Sequence, residues 1–200
     1  MSNKFEKRHN HFGSDHFGGI FSNLLDARKV LREIELKTSN TLLDIGCGEG
    51  RFSISASEIV RDNGKVYAID ISKEAINSLE EKIKKKNIRN IETFIGDITK
   101  KLPIKNDSID IYLMSNILHG LVINKEVGST LKETYRILKQ GGTLAVVDFK
   151  KINGPPGPSI SIRMTPEEVE EIINKYGFKK KKIIDAGKYH YTITFSKNIK

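Results

Sequence analysis

Three glycines, Gly46, Gly48 and Gly50, follow an apolar run (Leu42, Leu43, Ile45) and precede a helical spacing at Phe52, Ala56, Ile59 and Val60. Glycines in this arrangement let backbone amides come close to a small ligand, because no Cβ stands in the way. A second apolar run, Val66-Tyr67-Ala68-Ile69, ends in Asp70. A carboxylate at such a strand end is placed to accept hydrogen bonds from ribose hydroxyls. A third run, Ile91–Ile95, ends in Gly96-Asp97, and a fourth, Ile109–Met114, leads into Ser115-Asn116 with His119 just beyond. His119 is a candidate general base, since histidine titrates near neutral pH. A histidine held by a hydrogen bond in a helix-start loop is the competing reading.

The elements that must carry these residues alternate. Ser22 is expected to cap a helix reaching about Leu36, with Leu24, Ala27, Val30, Leu31 and Ile34 as its buried stripe. From Thr41 onward strand follows helix follows strand, the pattern of a parallel sheet with helices on both faces. The strand Lys65–Asp70 is followed by a helix capped by Ser72 and buried through Ile76, Leu79 and Ile83. A helix over about Lys125–Leu138 is expected to stop at Gly141-Gly142, before a strand over Thr143–Phe149. Thr165-Pro166-Glu167-Glu168 reads as a capping box with proline in the first turn. Two final strands, about Lys180–Asp185 and Tyr189–Phe195, are joined so closely that they must pair antiparallel.

Between the fifth strand and the capping box lies Lys150–Met164, long for a connection in such a sheet. Asp148, Lys150 and Arg163 around it, His16 near the N-terminus and His190 on the last strand are further candidates for an acceptor side. The aromatic face of the last strand (Tyr189, Tyr191, Ile193, Phe195) reads as core. Residues 1–21 form a polar arm in which His9, His11, Asp15 and His16 raise the question of a metal. Their spacing fits no compact finger, and an arm folding over a ligand is the preferred reading.

The chain has 200 residues, with 38% apolar and 30% charged, which suits one globular domain over 1–200. No run approaches a membrane span, no secretory signal opens the chain, and a cytoplasmic protein is expected. One cysteine, Cys47, excludes an internal disulfide and a multi-cysteine zinc site. Cys47 reads as a small turn residue rather than a nucleophile. The formal charge of +9 makes a nucleic-acid partner possible. It is not favoured, because the lysines gather in Lys82–Lys86 and Lys179–Lys182, which look like a helix end and an edge strand.

Leu43-Asp44-Ile45-Gly46-Cys47-Gly48-Glu49-Gly50 resembles the first motif of class I S-adenosylmethionine-dependent methyltransferases. Thr41–Phe149 is similar to their core, in the branch of quinone-biosynthesis and related small-molecule enzymes, and the closing hairpin matches their reversed last strand. The resemblance implies a Rossmann-like, doubly wound α/β sheet of seven strands, mostly parallel with the last antiparallel. It implies S-adenosylmethionine as cofactor and a small-molecule acceptor, with an RNA or protein acceptor and a non-catalytic binding module as alternatives. It implies a cofactor site of Asp44, Gly46, Cys47, Gly48, Gly50, Asp70, Ile71, Gly96, Asp97, Ile98, Ser115 and Asn116. Within it, Asp70 takes the ribose, Ile71 and Ile98 flank the adenine, Asp97 accepts from its amino group, and no metal is required. The resemblance places Lys150–Met164 near the acceptor side. A dinucleotide template, G-x-G-x-x-G, meets Glu49 or Arg51 where its last glycine belongs, and Glu49 would set a carboxylate beside a diphosphate.

Overall fold

The structure is a computed structural model and describes residues 25–153 and 157–198. The arm over 1–21, the expected cap Ser22 and Leu24, and residues 154–156 of the long loop lie outside the described residues. Seven strands form one sheet in the order β3-β2-β1-β4-β5-β7-β6. The first five are β1 (Thr41–Ile45), β2 (Lys65–Asp70), β3 (Ile91–Ile95), β4 (Ile109–Ser115) and β5 (Leu138–Phe149). They pair parallel; β6 (Phe178–Asp185) and β7 (His190–Lys197) close the sheet, with β7 antiparallel to both its neighbours. The alternation of apolar strands and amphipathic helices therefore yields the expected doubly wound α/β architecture.

Successive strand residues point to opposite faces, and both faces are covered, so the central strands read as unbroken apolar runs. On one face Leu43, Ile45, Tyr112, Met114, Leu144, Val146, Tyr191, Ile193 and Phe195 pack in a core. The helices α4 (Leu118–Ile123), α5 (Val127–Ile137) and α6 (Pro166–Asn174) complete it. On the other face Leu42, Val66, Ile111, Leu113, Ala145 and Val147 meet α1 (Ala27–Glu33) and α2 (Arg51–Val60). The helix α3 (Lys73–Lys85) covers Ala68 and Cys47 through Ile76 and Leu79. On β7 Tyr191, Ile193 and Phe195 are core, as the alternation predicts, whereas Tyr189 lies just before the strand and is only half-buried.

Local signals set most boundaries. Ser72 caps α3 by accepting from Ala75 N–H at 3.1 Å, and Thr165 and Glu168 form the reciprocal capping box of α6 with Pro166 at its start. The cap of α1 is Asp26, accepting from Lys29 N–H at 3.0 Å, so the helix is shorter than the apolar stripe suggests. The helix α5 ends at Ile137 instead of running to the glycine pair, and β5 begins at once with Leu138. Leu138 pairs with Ile109 and Thr143 with Ile111, so the residues between them, with Gly141 at φ +73°, form a bulge inside the strand. The lysines of 179–182 do lie on an edge strand, β6, where charge discourages further pairing. Those of 82–85 lie in the last turn of α3, where cations suit the helix dipole.

Candidate functional site

Strand order reverses direction between β1 and β4, and open α/β sheets bind ligands in the crevice at the carboxyl ends there. The bend after β1 has Gly46, Gly48 and Gly50 at φ +62°, +53° and +81°. A Cβ on Gly46 would stand 2.7 Å from Ile117 Cγ2, whereas one on Gly48 would meet nothing within 4 Å. Gly46 is therefore needed for packing, and the Gly48 face is open to whatever approaches. Asp70, at the end of β2, ties the bend down: one oxygen accepts from Gly48 N–H at 2.8 Å, the other from Ser72 N–H at 2.9 Å. Gly96 N–H donates to the Asp70 carbonyl at 2.9 Å and Cys47 N–H to that of Ile69 at 3.1 Å, so the tips of β1, β2 and β3 are linked.

Gly50 shows how tightly this end is built. Its Cβ position lies 2.1 Å from Leu79 Cδ1, a fully buried side chain. Gly50→Ala is expected to cost about 2–4 kcal/mol, combining left-handed backbone strain with overpacking. Chemical denaturation, with the slope against denaturant unchanged, measures it.

Asp44 lies beneath the bend, 1% exposed, and accepts from Ser53 Oγ at 2.6 Å. Burial, and secondarily the Asp70 charge, push its carboxyl up to about 7, while the Ser53 bonds oppose the shift. A folded value raised above the ordinary carboxylate range means that the folded chain holds a proton the unfolded chain has released. Its contribution to stability is complete below about pH 4 and is lost as pH rises from about 4 to 7. Asp44→Asn keeps an acceptor for Ser53 and is expected to flatten that part of the stability profile; an unaltered slope between pH 4 and 7 would refute the shift. Cys47 is buried, its Sγ 3.5 Å from the Gly48 carbonyl, and burial raises its thiol well above the usual range. It packs with Ala68, Ile76 and Leu79.

The other expected cofactor residues fall along the same edge. Asp97 accepts from Thr99 N–H at 2.9 Å and Thr99 Oγ1 at 2.6 Å, which fixes the turn after β3, and Ile98 packs on the main core. Ile71 and Ser115 are half-buried. Asn116 adopts φ +58° and donates its N–H to the Val147 carbonyl at 2.8 Å. Its Oδ1 is shut off from solvent without a partner among the described residues.

His119 does not lie in a loop. It sits in the short helix α4, 5% exposed, with Nδ1 3.1 and 3.2 Å from the two oxygens of Asp148, itself fully buried. Asp148 also accepts from Phe149 N–H at 2.8 Å. This leaves Nε2 without a hydrogen bond among the described residues. An acid fixing one ring nitrogen so that the other can take a proton is the arrangement of a general base. Of the other acceptor-side candidates, Lys150 pairs with Asp185 at 2.9 Å. Arg163 donates to the carbonyls of Pro158, Ile152 and Lys150, stapling the long loop onto β5. His190 is buried against Phe149, ring centroids 4.2 Å apart. His16 and the arm's His9, His11 and Asp15 lie outside the described residues. Among the described residues no three His, Cys, Asp or Glu side chains converge to hold a metal. No helix of the described residues is long and apolar enough to cross a membrane.

A family model described as a methyltransferase domain matches residues 36–195. A demethylmenaquinone methyltransferase of Listeria welshimeri is 28% identical over 128 residues, 64% of this chain and 52% of that protein. An arsenite methyltransferase of Halobacterium salinarum is 30% identical over 129 residues, 64% of this chain and 31% of that one. The chain thus spans about half the length of the first of these curated relatives. Among solved structures, that of a SAM-dependent methyltransferase from Aquifex aeolicus superposes with a TM-score of 0.82 at 28% identity, covering 95% of this chain and 98% of that one.

Proposed function

Because the chain belongs to the methyltransferase domain family, we propose that it transfers a methyl group from S-adenosylmethionine to a small-molecule acceptor. The observation that carries this reading is the bend itself, open above Gly48 and tied to a carboxylate at the end of the neighbouring strand. Asp70 has two backbone donors on its two oxygens and lone pairs remaining, which suits the paired hydroxyls of a ribose. Ile71, beside Asp70 after β2, and Asp97 and Ile98, after β3, stand for the base, and Ser115 and Asn116 at β4 for the far end of the donor. The donor supplies an electrophilic methyl on a sulfonium. Gly46, Gly48 and Gly50 let the backbone lie against it, and Asn116 Oδ1, otherwise orphaned, is an acceptor for its ammonium.

Transfer is an in-line displacement, so the chain has mainly to align the reactants and exclude water. Alignment supplies roughly 7–11 kcal/mol of barrier reduction. Where the acceptor atom carries a proton, His119 Nε2 takes it, and Asp148 holds the ring in the required tautomer. The lysine-rich stretches support an RNA acceptor poorly, since Lys180 and Lys182 are paired with Glu170 and Glu35. An arsenite acceptor lacks its thiols, the one cysteine being buried under the bend.

The test is incubation with methyl-tritiated donor and fractionated cell extract. Label is expected in the small-molecule fraction. Label in RNA or protein would replace the acceptor class, and donor binding without any transfer would leave a non-catalytic module.

A further inference from the structure

At the carboxyl edge of the sheet two side chains, Arg51 half-buried and His190 buried, have nitrogens closed to solvent without a hydrogen-bond partner among the described residues. Arg51 is the first residue of α2, directly after the bend, and its Nη2 is closed to solvent with no partner among the described residues. His190 opens β7 opposite Phe149, is 3% exposed, and has no partner for either ring nitrogen among those residues. Unsatisfied groups of this kind are costly and rare, and their presence at the edge where open α/β sheets take ligands points to what that edge receives.

The surrounding charges say what that is. Burial first, then the Arg51, Arg163 and Lys150 cations, push the His190 imidazole down to about 4, against the opposing pull of Asp148. His190 is therefore neutral at physiological pH, with one ring nitrogen a donor and the other an acceptor. Every other charge here has a partner: Lys150 has Asp185, Arg163 has the loop carbonyls, and Asp148 has His119 and Phe149 N–H. Asp26, the carboxylate acting on Arg51, caps α1 through Lys29 N–H. Among the described residues no carboxylate bonds to Arg51 Nη2 or to either ring nitrogen of His190.

We propose that Arg51 and His190 form a carboxylate subsite, so that the methyl acceptor is a small organic acid methylated at a separate hydroxyl. The inference rests on the methyl-transfer reading above. A guanidinium offers planar, paired donors that match a carboxylate. The His190 N–H adds a donor, and its other nitrogen accepts from a bound water. The hydroxyl proton passes to His119 Nε2, the oxygen pair forms the new bond to carbon, and the electrons of the broken carbon–sulfur bond remain on sulfur. The carboxylate is unchanged, and charge balances as the sulfonium becomes a neutral thioether.

The donor also carries a carboxylate, in its amino-acid tail, so the experiment separates the two sources. S-adenosylhomocysteine has that tail and 5′-methylthioadenosine does not. For Arg51→Gln and His190→Leu, both affinities are expected within about twofold of the unaltered chain, while label transfer in small-molecule extract falls at least about tenfold. The labelled product of the unaltered chain is expected to bind an anion exchanger at pH 8. His190→Gln, which keeps one donor and one acceptor, is expected to retain more transfer than His190→Leu. A large loss of S-adenosylhomocysteine affinity with methylthioadenosine unaffected would assign the anion to the donor and overturn the proposal. So would a labelled product that passes the exchanger, or full transfer by both variants. Binding of neither nucleoside by the unaltered chain is a different failure, that of the methyl-transfer reading itself.

Discussion

Asp70→Ala is expected to weaken S-adenosylhomocysteine binding by roughly 30- to 150-fold, corresponding to about 2–3 kcal/mol. The loss has two parts. The carboxylate stands ready for ligand hydroxyls, and a hydrogen bond to a charged group contributes about 1.5–3 kcal/mol. It also holds Gly48 N–H and Ser72 N–H, so its removal loosens the bend and leaves two donors to find water. Asp70→Asn is the more informative companion. One amide oxygen can serve one of those donors, but the amide NH₂ then faces the other N–H, and a donor meets a donor. Asparagine is therefore expected to lose most of the affinity that alanine loses. Asp70 is only half-buried and belongs to no core cluster, so the far-ultraviolet circular dichroism should be unchanged. Calorimetry with S-adenosylhomocysteine decides: an affinity equal to that of the unaltered chain would remove Asp70 from the donor site.

The parts of this molecule that sequence patterning reveals are those governed by short-range rules. The apolar runs of β1 and β4 declare strands because both their faces are buried, and Ser72 and Thr165 declare helix starts because a side-chain oxygen must meet free N–H groups. The spacing Gly46, Gly48, Gly50 announces a bend, and the acid ending β2 announces its partner. Helix α4 carries no such mark: Ile117 at its N-cap offers no side-chain hydrogen bond, and its six residues are too few for a periodic stripe. The start of β5 was hidden because Gly141-Gly142, which would end a helix in most contexts, here sits inside a bulged strand. The His119–Asp148 pair is illegible for a different reason. Its members come from α4 and β5, 29 residues apart, and only the parallel pairing of β4 with β5 brings them together. Each was visible as a candidate; the contact that gives them a joint role was not. Arg51 is informative in the sequence only for excluding a dinucleotide, since nothing there shows that one nitrogen of its guanidinium is closed to solvent without a partner.

That pair makes the sharpest demand on chemistry. Asp148→Asn preserves size and still accepts from Phe149 N–H through its oxygen, but its NH₂ then replaces the carboxylate oxygen 3.2 Å from His119 Nδ1. To accept from that amide, Nδ1 must give up its proton, and the ring must carry it on Nε2, where it can no longer take one from the acceptor. Methyl transfer is accordingly expected to fall by about 10²–10⁴, the range general-base catalysis contributes, with S-adenosylhomocysteine affinity unchanged. His119→Ala is expected to fall into the same range, and the double variant to be little worse than either single one, because the two residues act as one unit. Additive losses would mean that Asp148 serves the site by some route other than the histidine. Full activity in Asp148→Asn would mean that the acceptor arrives already deprotonated, and that orientation above the bend suffices for the reaction.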